Sequence, residues 1–268
     1  MRTKKKYEQI HRIGRAIVAV LSIGYASASL ALPDELQVQM DDINEPGQVG
    51  IDLSAGYAMG NPKTATDEDR RPTAHLLQAS PQRSYGLTKT MQLGAQLFYA
   101  RDSSGQSKID GARLEWLYLP IRPAEEGGEG LFAGTLIEAG HLPKRLSENR
   151  LDAELRLIAG YRWGKWTVAA NPEIGRKLAG DGSGVPDLSA RMKLAYQATP
   201  TYAVGAEYYG DFGNMHAVGP LSHRSQQLFG VIDAKHGGCN FSIGIGRGLT
   251  SRSEPWVLKA AVGFSFDG

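Results

Sequence analysis

The feature that most constrains this chain is an alternation of apolar and polar residues that recurs from residue 49 to residue 266. In the stretch LDAELRLIAGYRW (151–163), a helical period accounts for three apolar positions, whereas a strand period accounts for seven. Successive side chains of a β-strand point to opposite faces, so an alternation of this length predicts a half-buried strand. A second alternating run (166–176) follows after only two residues, and the pair therefore predicts a β-hairpin.

The same pattern predicts about twelve strands. They are 49–57, 74–84, 91–99, 112–118, 131–142, 151–163, 166–176, 188–196, 202–212, 224–235, 240–246 and 256–266. The connections between them are alternately long and polar, such as 59–73, and short, such as 199–201, although 121–130 is longer than its place suggests. Long loops at one end and tight turns at the other, with both termini at the tight end, are typical of an outer-membrane barrel.

The N-terminal residues have the composition of a secretory signal peptide. A basic stretch precedes an apolar run of about ten residues (16–25), and small residues then allow cleavage after Ala28 or after Ala31. The run is too short to span a bilayer. Residues 1–31 hold six Lys/Arg and one acidic residue, so the remainder carries a formal charge of −3 and no basic surface for nucleic acid is indicated. We expect a signal peptide (1–31), a periplasmic N-terminal segment (32–47) and an outer-membrane β-barrel (48–268).

Alternation alone does not show which face of the sheet points outward. The apolar face is rich in Ala, Val and Leu, which could not fill the interior of a barrel of about twelve strands. Aromatic residues lie at strand ends, among them Tyr57, Trp163 and Trp256, where the girdles of membrane barrels contact headgroups. We therefore predict an all-β, antiparallel, up-and-down transmembrane barrel in the bacterial outer membrane, with its apolar face toward lipid. Pro172 lacks an N–H group, so a bulge or the outer rim is expected there.

Charged residues of both signs are interleaved on the face that this arrangement turns toward the lumen. The predicted pore-lining residues are Arg113, Glu115, Glu138, Asp152, Glu154, Arg156, Arg162, Glu173, Arg191, Lys193, Glu207, Asp211 and Lys259. Charges that border water set the selectivity and conductance of a pore. Alternatively, the arginines and acids pair across strands and close a narrow barrel, and the sequence leaves both outcomes open.

Several stretches resemble known outer-membrane proteins. The last strand, WVLKAAVGFSF (256–266), ends near the aromatic Phe266 and is similar to the C-terminal signal that Gram-negative outer-membrane proteins present to their insertion machinery. INEPGQVGIDLSAGY, YGLTKTMQLGAQL and GIGRGLT resemble a group of proteobacterial barrels associated with the meta-pathway of phenol degradation, over about residues 43–266. The resemblance implies a channel for aromatic or hydrophobic solutes, whereas the charged lumen favours small organic acids.

Two other functions are weighed against a channel. The first is a non-conducting barrel, plugged by its own charges, that serves a structural or partner-docking role. The second is an outer-membrane hydrolase using His216, Ser222 or His223, with Asp211 and His216 as a further candidate pair. We expect no enzyme and no cofactor. We also expect no metal site, because two histidines without an acid or thiol partner are too few ligands. The lone Cys239 cannot form an internal disulfide.

Overall fold

The computed structural model describes residues 36–59, 75–101, 105, 107–125, 127–141, 151–179, 184–216 and 219–267. The predicted signal peptide (1–31) lies outside this part of the chain. Among the described residues, none of the helices has the length and hydropathy needed to cross a bilayer.

Twelve antiparallel strands form one closed sheet in the described part of the chain, which confirms the predicted fold. Each strand pairs with its neighbours in sequence, and β1 pairs with β12 from Gln48–Asp267 to Ala58–Val257. The strands are β1 (Gln48–Ala58), β2 (Leu77–Thr88), β3 (Met91–Arg101), β4 (Ser107–Ile121), β5 (Gly130–His141), β6 (Leu151–Trp163), β7 (Trp166–Ala179), β8 (Asp187–Gln197), β9 (Tyr202–Asn214), β10 (Gln226–His236), β11 (Cys239–Gly248) and β12 (Trp256–Asp267). A short 3₁₀ helix, Leu221–His223, precedes β10.

The connections differ in length between the two ends of the barrel, as predicted. Only Gly237 and Gly238 join β10 to β11, and both have positive φ (59° and 78°), which is the backbone that a two-residue hairpin turn requires. At the opposite end, longer loops such as 215–225 and 249–255 connect the strands. We call the ends the turn end and the loop end. By the usual arrangement of outer-membrane barrels, the loop end faces the cell exterior.

The fourth strand begins five residues earlier than predicted. β4 starts at Ser107 rather than at residue 112. Its pairing with β3 shifts by one residue, because Phe98 is opposite Gly111 whereas Tyr99 is opposite Ile109. The extra residue is a β-bulge, which offsets the alternation and conceals the first part of the strand from a pattern of period two.

The position of Pro172 differs from the prediction. It lies in the middle of β7, opposite Ala190 of β8, and not at the rim. Between the Arg156–Glu173 pair and the Ala159–Ala170 pair, two residues of β6 and two of β7 are not paired with each other. The register of β6 and β7 is the same on both sides of this gap. The expected bulge is therefore wrong. Since proline has no N–H to donate, the ladder opens locally and resumes in the same register.

The two faces of the sheet have opposite character. Large apolar side chains are exposed on the outside, including Leu114 (69%), Ile243 (57%) and Tyr202 (53%), whereas the inward-facing Arg156 and Arg113 are 0% and 2% exposed. This inverts the distribution of a water-soluble protein. A closed sheet has no unpaired edge, and an apolar exterior of this kind is solvated by the hydrocarbon of a membrane.

Candidate lumen site

Residues 36–47, which we call the inner segment, lie inside the barrel. At the turn end, the Asn44 side chain donates to Ser84 Oγ (2.8 Å) and accepts from Ser265 Oγ (2.5 Å). Farther up, the carbonyl oxygen of Leu36 accepts a hydrogen bond from Lys259 Nζ (3.0 Å). Leu36 and Val38 are buried and belong to an apolar cluster made with inward-facing side chains of the strands. The sequence predicts a periplasmic N-terminal segment (32–47) and leaves open whether it plugs the pore. Its described part lies in the lumen, where the apolar residues Leu36 and Val38 are buried.

The middle of the inner segment is held by two polar contacts. Both carboxylate oxygens of Asp41 accept hydrogen bonds from Arg162, from Nη1 at 2.6 Å and from Nη2 at 2.5 Å. Gln39 donates its N–H to Asn171 Oδ1 (2.7 Å), and Asn171 Nδ2 donates to the Gln39 carbonyl (3.0 Å). A bidentate arginine–carboxylate pair and a reciprocal amide pair both fix geometry, so the segment has one defined position in the lumen.

Inward-facing charges of β4 to β8 form a connected group, which we call the arginine cluster. Its members are Arg113, Arg156, Arg191, Glu138, Asp152, Glu154 and Glu173. Arg156 lies at its centre, with Nη2 2.8 Å from Glu138 Oε2 and Nε 2.6 Å from Glu173 Oε2. Three guanidinium groups therefore face four carboxylates, and neighbouring strands are joined by charge pairs along the wall.

A second group, which we call the lysine cluster, lies on β8 to β12. Lys193 Nζ is 2.9 Å from Glu207 Oε1 and 2.7 Å from Asp233 Oδ2. Lys259 on β12 forms an ion pair with the same Glu207 on β9. Tyr209 Oη donates to Glu207 Oε2 (2.6 Å), which helps to satisfy this buried carboxylate. The cluster contains two ammonium groups and two carboxylates, so its charges balance.

The structure brings most of the predicted pore-lining residues together on the inner face. Those that are buried are Arg113, Glu115, Glu138, Asp152, Arg156, Glu173, Arg191, Glu207 and Lys259, and those that are partly buried are Glu154, Arg162, Lys193 and Asp211. Glu115 accepts a hydrogen bond from Gln82. Asp211 accepts one from the N–H of Gly213 (2.7 Å). Asn171 lies on the polar face of the predicted strand 166–176 but was not among the predicted pore-lining residues. Sequence reasoning missed Asp41 and Asp233, and Asp233 lies in a predicted strand (224–235) whose alternation is irregular.

The rest of the inner face is lined differently. On β1, β2, β3 and β11 it presents mostly small or neutral side chains, including Ser54, Gly56, Ser80, Gly94 and Gly244, with Asp52 on β1 as an acidic residue among them. Toward the loop end, Ala58, Leu76, Ala100, Phe229 and Val257 form part of the buried apolar cluster. The lumen therefore has a charged side, a side of small residues, and an apolar region near its loop end.

The two chemistries that would suggest an enzyme are not assembled in the described residues. Carboxylate oxygens of Glu138, Glu154 and Glu173 lie within 4.8 Å of one another, but the guanidinium groups of Arg113 and Arg156 lie among them and neutralise them. In the described part of the chain, no hydrogen bond joins His216 or His223 to Asp211 or Ser222. The N–H of His216 instead donates to Asn214 (2.8 Å).

The closed sheet of twelve strands and its apolar exterior define a membrane β-barrel with the architecture of outer-membrane proteins. No family model and no curated protein sequence matches the chain. Among solved structures, the COG4313 outer membrane channel from Pseudomonas putida F1 is similar, with a TM-score of 0.54, 12% identity, and coverage of 84% of this chain and 97% of that one.

Two further solved structures have a comparable similarity of fold. The KdgM porin in complex with disordered oligogalacturonate and the NanC porin each give a TM-score of 0.52 at 12% identity. Each likeness covers 81% of this chain, with 99% of the KdgM chain and 98% of the NanC chain. At this identity, the likeness shows the shared fold.

Proposed function

We propose that the protein is an outer-membrane channel for small solutes whose lumen is narrowed by the inner segment. The observation that carries the proposal is that the inner segment is not part of the sheet. Side-chain hydrogen bonds, the Asp41–Arg162 ion pair and the burial of Leu36 and Val38 hold it, so its departure from the lumen would leave all twelve strand pairings intact. Similarity of fold to porins and to an outer-membrane channel supports this function.

We propose aromatic or hydrophobic compounds, rather than small organic acids, as the solutes. The lumen charges are paired with one another, three arginines with four carboxylates and two lysines with two carboxylates, so little positive charge is left to attract an anion. Leu76 and Phe229 are buried in the apolar cluster that also contains Leu36 and Val38, so departure of the inner segment would expose an apolar surface inside the loop end to the solute. The resemblance to barrels associated with phenol degradation supports the same class.

Uptake by whole cells tests the solute class, because the outer membrane is the barrier to both kinds of compound. Cells with and without the protein are given labelled naphthalene or labelled succinate, and initial rates are compared. We expect the protein to increase the rate for naphthalene several-fold and to leave succinate unchanged. The reverse pattern would contradict the assignment and favour organic acids.

A non-conducting barrel is the second candidate function, and the buried arginine cluster favours it. Arg156 is 0% exposed and Glu138 1%, so these side chains are shielded from water on this side of the lumen. The two candidates differ in planar bilayers. A channel gives single-channel current steps, whereas a plugged structural or docking barrel gives none at any voltage.

We also propose that β12 is presented to the barrel-insertion machinery. Its outward-facing Phe264 and Phe266 stack, with ring centroids 6.1 Å apart, and continue the alternation to the end of the strand. An exposed aromatic pair at this position resembles the C-terminal signal described above.

A further inference from the structure

A groove of about 480 Å³ lies on the outside of the barrel wall, across β10, β11, β12, β1 and β2. Its lining includes the small residues Ala55, Gly230 and Ala260 and larger apolar residues such as Tyr57, Ile243 and Leu258. These side chains belong to the lipid-facing set of each strand, so the groove opens toward the membrane and not toward the lumen.

The depth of the groove follows from the register of small residues. Ala55 on β1 is directly opposite Ala260 on β12, and Gly230 on β10 is opposite Ile245 on β11. A β-carbon built on Gly230 has no atom within 4 Å, so the space beside it is open. Short side chains set among isoleucine, leucine and tyrosine leave a depression in an otherwise even apolar surface.

Polar groups lie at the loop end of the groove. The Tyr57 hydroxyl is 2.8 Å from His75 Nδ1, and His75 adopts a φ of +57°, a left-handed conformation that is costly for a residue with a side chain. On the neighbouring strands, the Arg247 guanidinium lies 5.2 Å from the centroid of the Trp256 ring. Arg247 and Trp256 face each other in the ladder, next to the Ile245–Leu258 pair that lines the groove.

We propose that this groove binds lipid A, the phosphorylated and multiply acylated part of lipopolysaccharide. The groove lies just below the loop end, which faces the outer leaflet, and its apolar lining fits an acyl chain. An acyl chain gains little hydrophobic free energy by moving from lipid into an apolar groove, so the headgroup contacts must supply the specificity. Arg247 on β11 can pair with a phosphate through two parallel N–H groups, and His75, next to β2, adds a second polar group on the other flank of the groove.

Matched substitutions on opposite sides of the barrel test the site. Ala260→Leu fills the groove, and Ala139→Leu adds the same atoms to an exposed outer position on β5, away from it. The full-length protein in detergent micelles is titrated with diphosphoryl lipid A, and bound lipid is counted by native mass spectrometry. We expect A260L and R247Q each to weaken binding by about ten-fold or more, because one charge-assisted pair or the groove itself is lost, while A139L binds like the original protein.

Two results would overturn the proposal. Equal effects of A260L and A139L would show that the groove is not the site. Equal affinity for lipid A and for its dephosphorylated form, with no effect of R247Q, would show ordinary boundary lipid without headgroup recognition. Heat-modified mobility of every variant on gels confirms that its barrel is folded. The site does not depend on conduction, so absence of channel activity would leave this result unchanged.

Discussion

The arginine cluster leads to a prediction about the stability of the protein, and the size of the effect shows whether water reaches this side of the lumen. Replacing Arg156 by Met keeps an unbranched side chain about as long as the aliphatic part of arginine and removes the guanidinium group at the centre of the cluster. Glu138 and Glu173 then lose contacts of 2.8 Å and 2.6 Å. Both carboxylates stay close together, and both are buried.

The expected loss of stability can be bounded from the remaining contacts. Removing one partner of a buried ion pair typically costs about 3–5 kcal/mol, because it leaves an uncompensated charge. Glu138 keeps Arg113 (3.1 Å), and Glu173 keeps Arg191 (3.2 Å) and Ser189 (3.0 Å), so the lower end of the range applies. We expect R156M to lower the free energy of unfolding by about 3 kcal/mol. Adding Glu173→Gln should restore part of it, because one unpaired charge is removed.

Urea unfolding in lipid vesicles, followed by the fluorescence of the four tryptophans, measures these differences. Arg252→Met, at an exposed position in the loop before β12, is the control and should change stability by less than about 0.5 kcal/mol. If R156M lowers the free energy of unfolding by no more than about 1 kcal/mol, which is the range for exposed ion pairs, the arginine cluster is in contact with water. The reasoning that the lumen is narrow on this side would then be refuted.

Three further variants test the inner segment and β12. Asp41→Asn should weaken the bidentate pair with Arg162 and increase the frequency of open-channel current. The control is Asp42→Asn, which should not change this frequency because the Asp42 carboxylate is exposed and lies 3.5 Å from Lys235. Equal behaviour of the two variants would show that Asp41 does not hold the inner segment in the lumen. Gly86→Ala places a β-carbon 2.2 Å from the Glu45 carbonyl oxygen, so it should displace the base of the segment and increase its cleavage by added protease. Phe266→Ala should reduce the heat-modifiable, folded fraction in cells, and an unchanged fraction would argue against its role in insertion.

The apolar–polar alternation predicted the strands well because the barrel wall separates lipid from the lumen along the whole length of each strand. Leu155 faces lipid and Arg156 faces the lumen, and this contrast repeats along each strand. Where the backbone departs from regular pairing, the pattern fails. The bulge before Gly111 concealed the start of β4, and Pro172 lies in an opened ladder that no residue pattern distinguishes from a bulge.

The charged residues of the lumen face could be predicted from the sequence, but their contacts with the inner segment could not. Glu138, Arg156 and Glu173 come together because adjacent strands place them side by side, and the predicted hairpins already imply this proximity. Asp41 and Arg162 are separated by 121 residues, and nothing local in the sequence shows that residues 36–47 turn back into the barrel. The three-dimensional position of the inner segment therefore had to come from the structure.

Single-channel conductance of the protein and of a variant lacking residues 36–44 tests the central claim most directly. All twelve strands remain in the variant, because the deletion ends before β1 begins at Gln48. We predict small current steps for the original protein and steps several-fold larger for the variant, since the inner segment no longer occupies the lumen. Equal conductance of the two would contradict the claim that the inner segment narrows the channel.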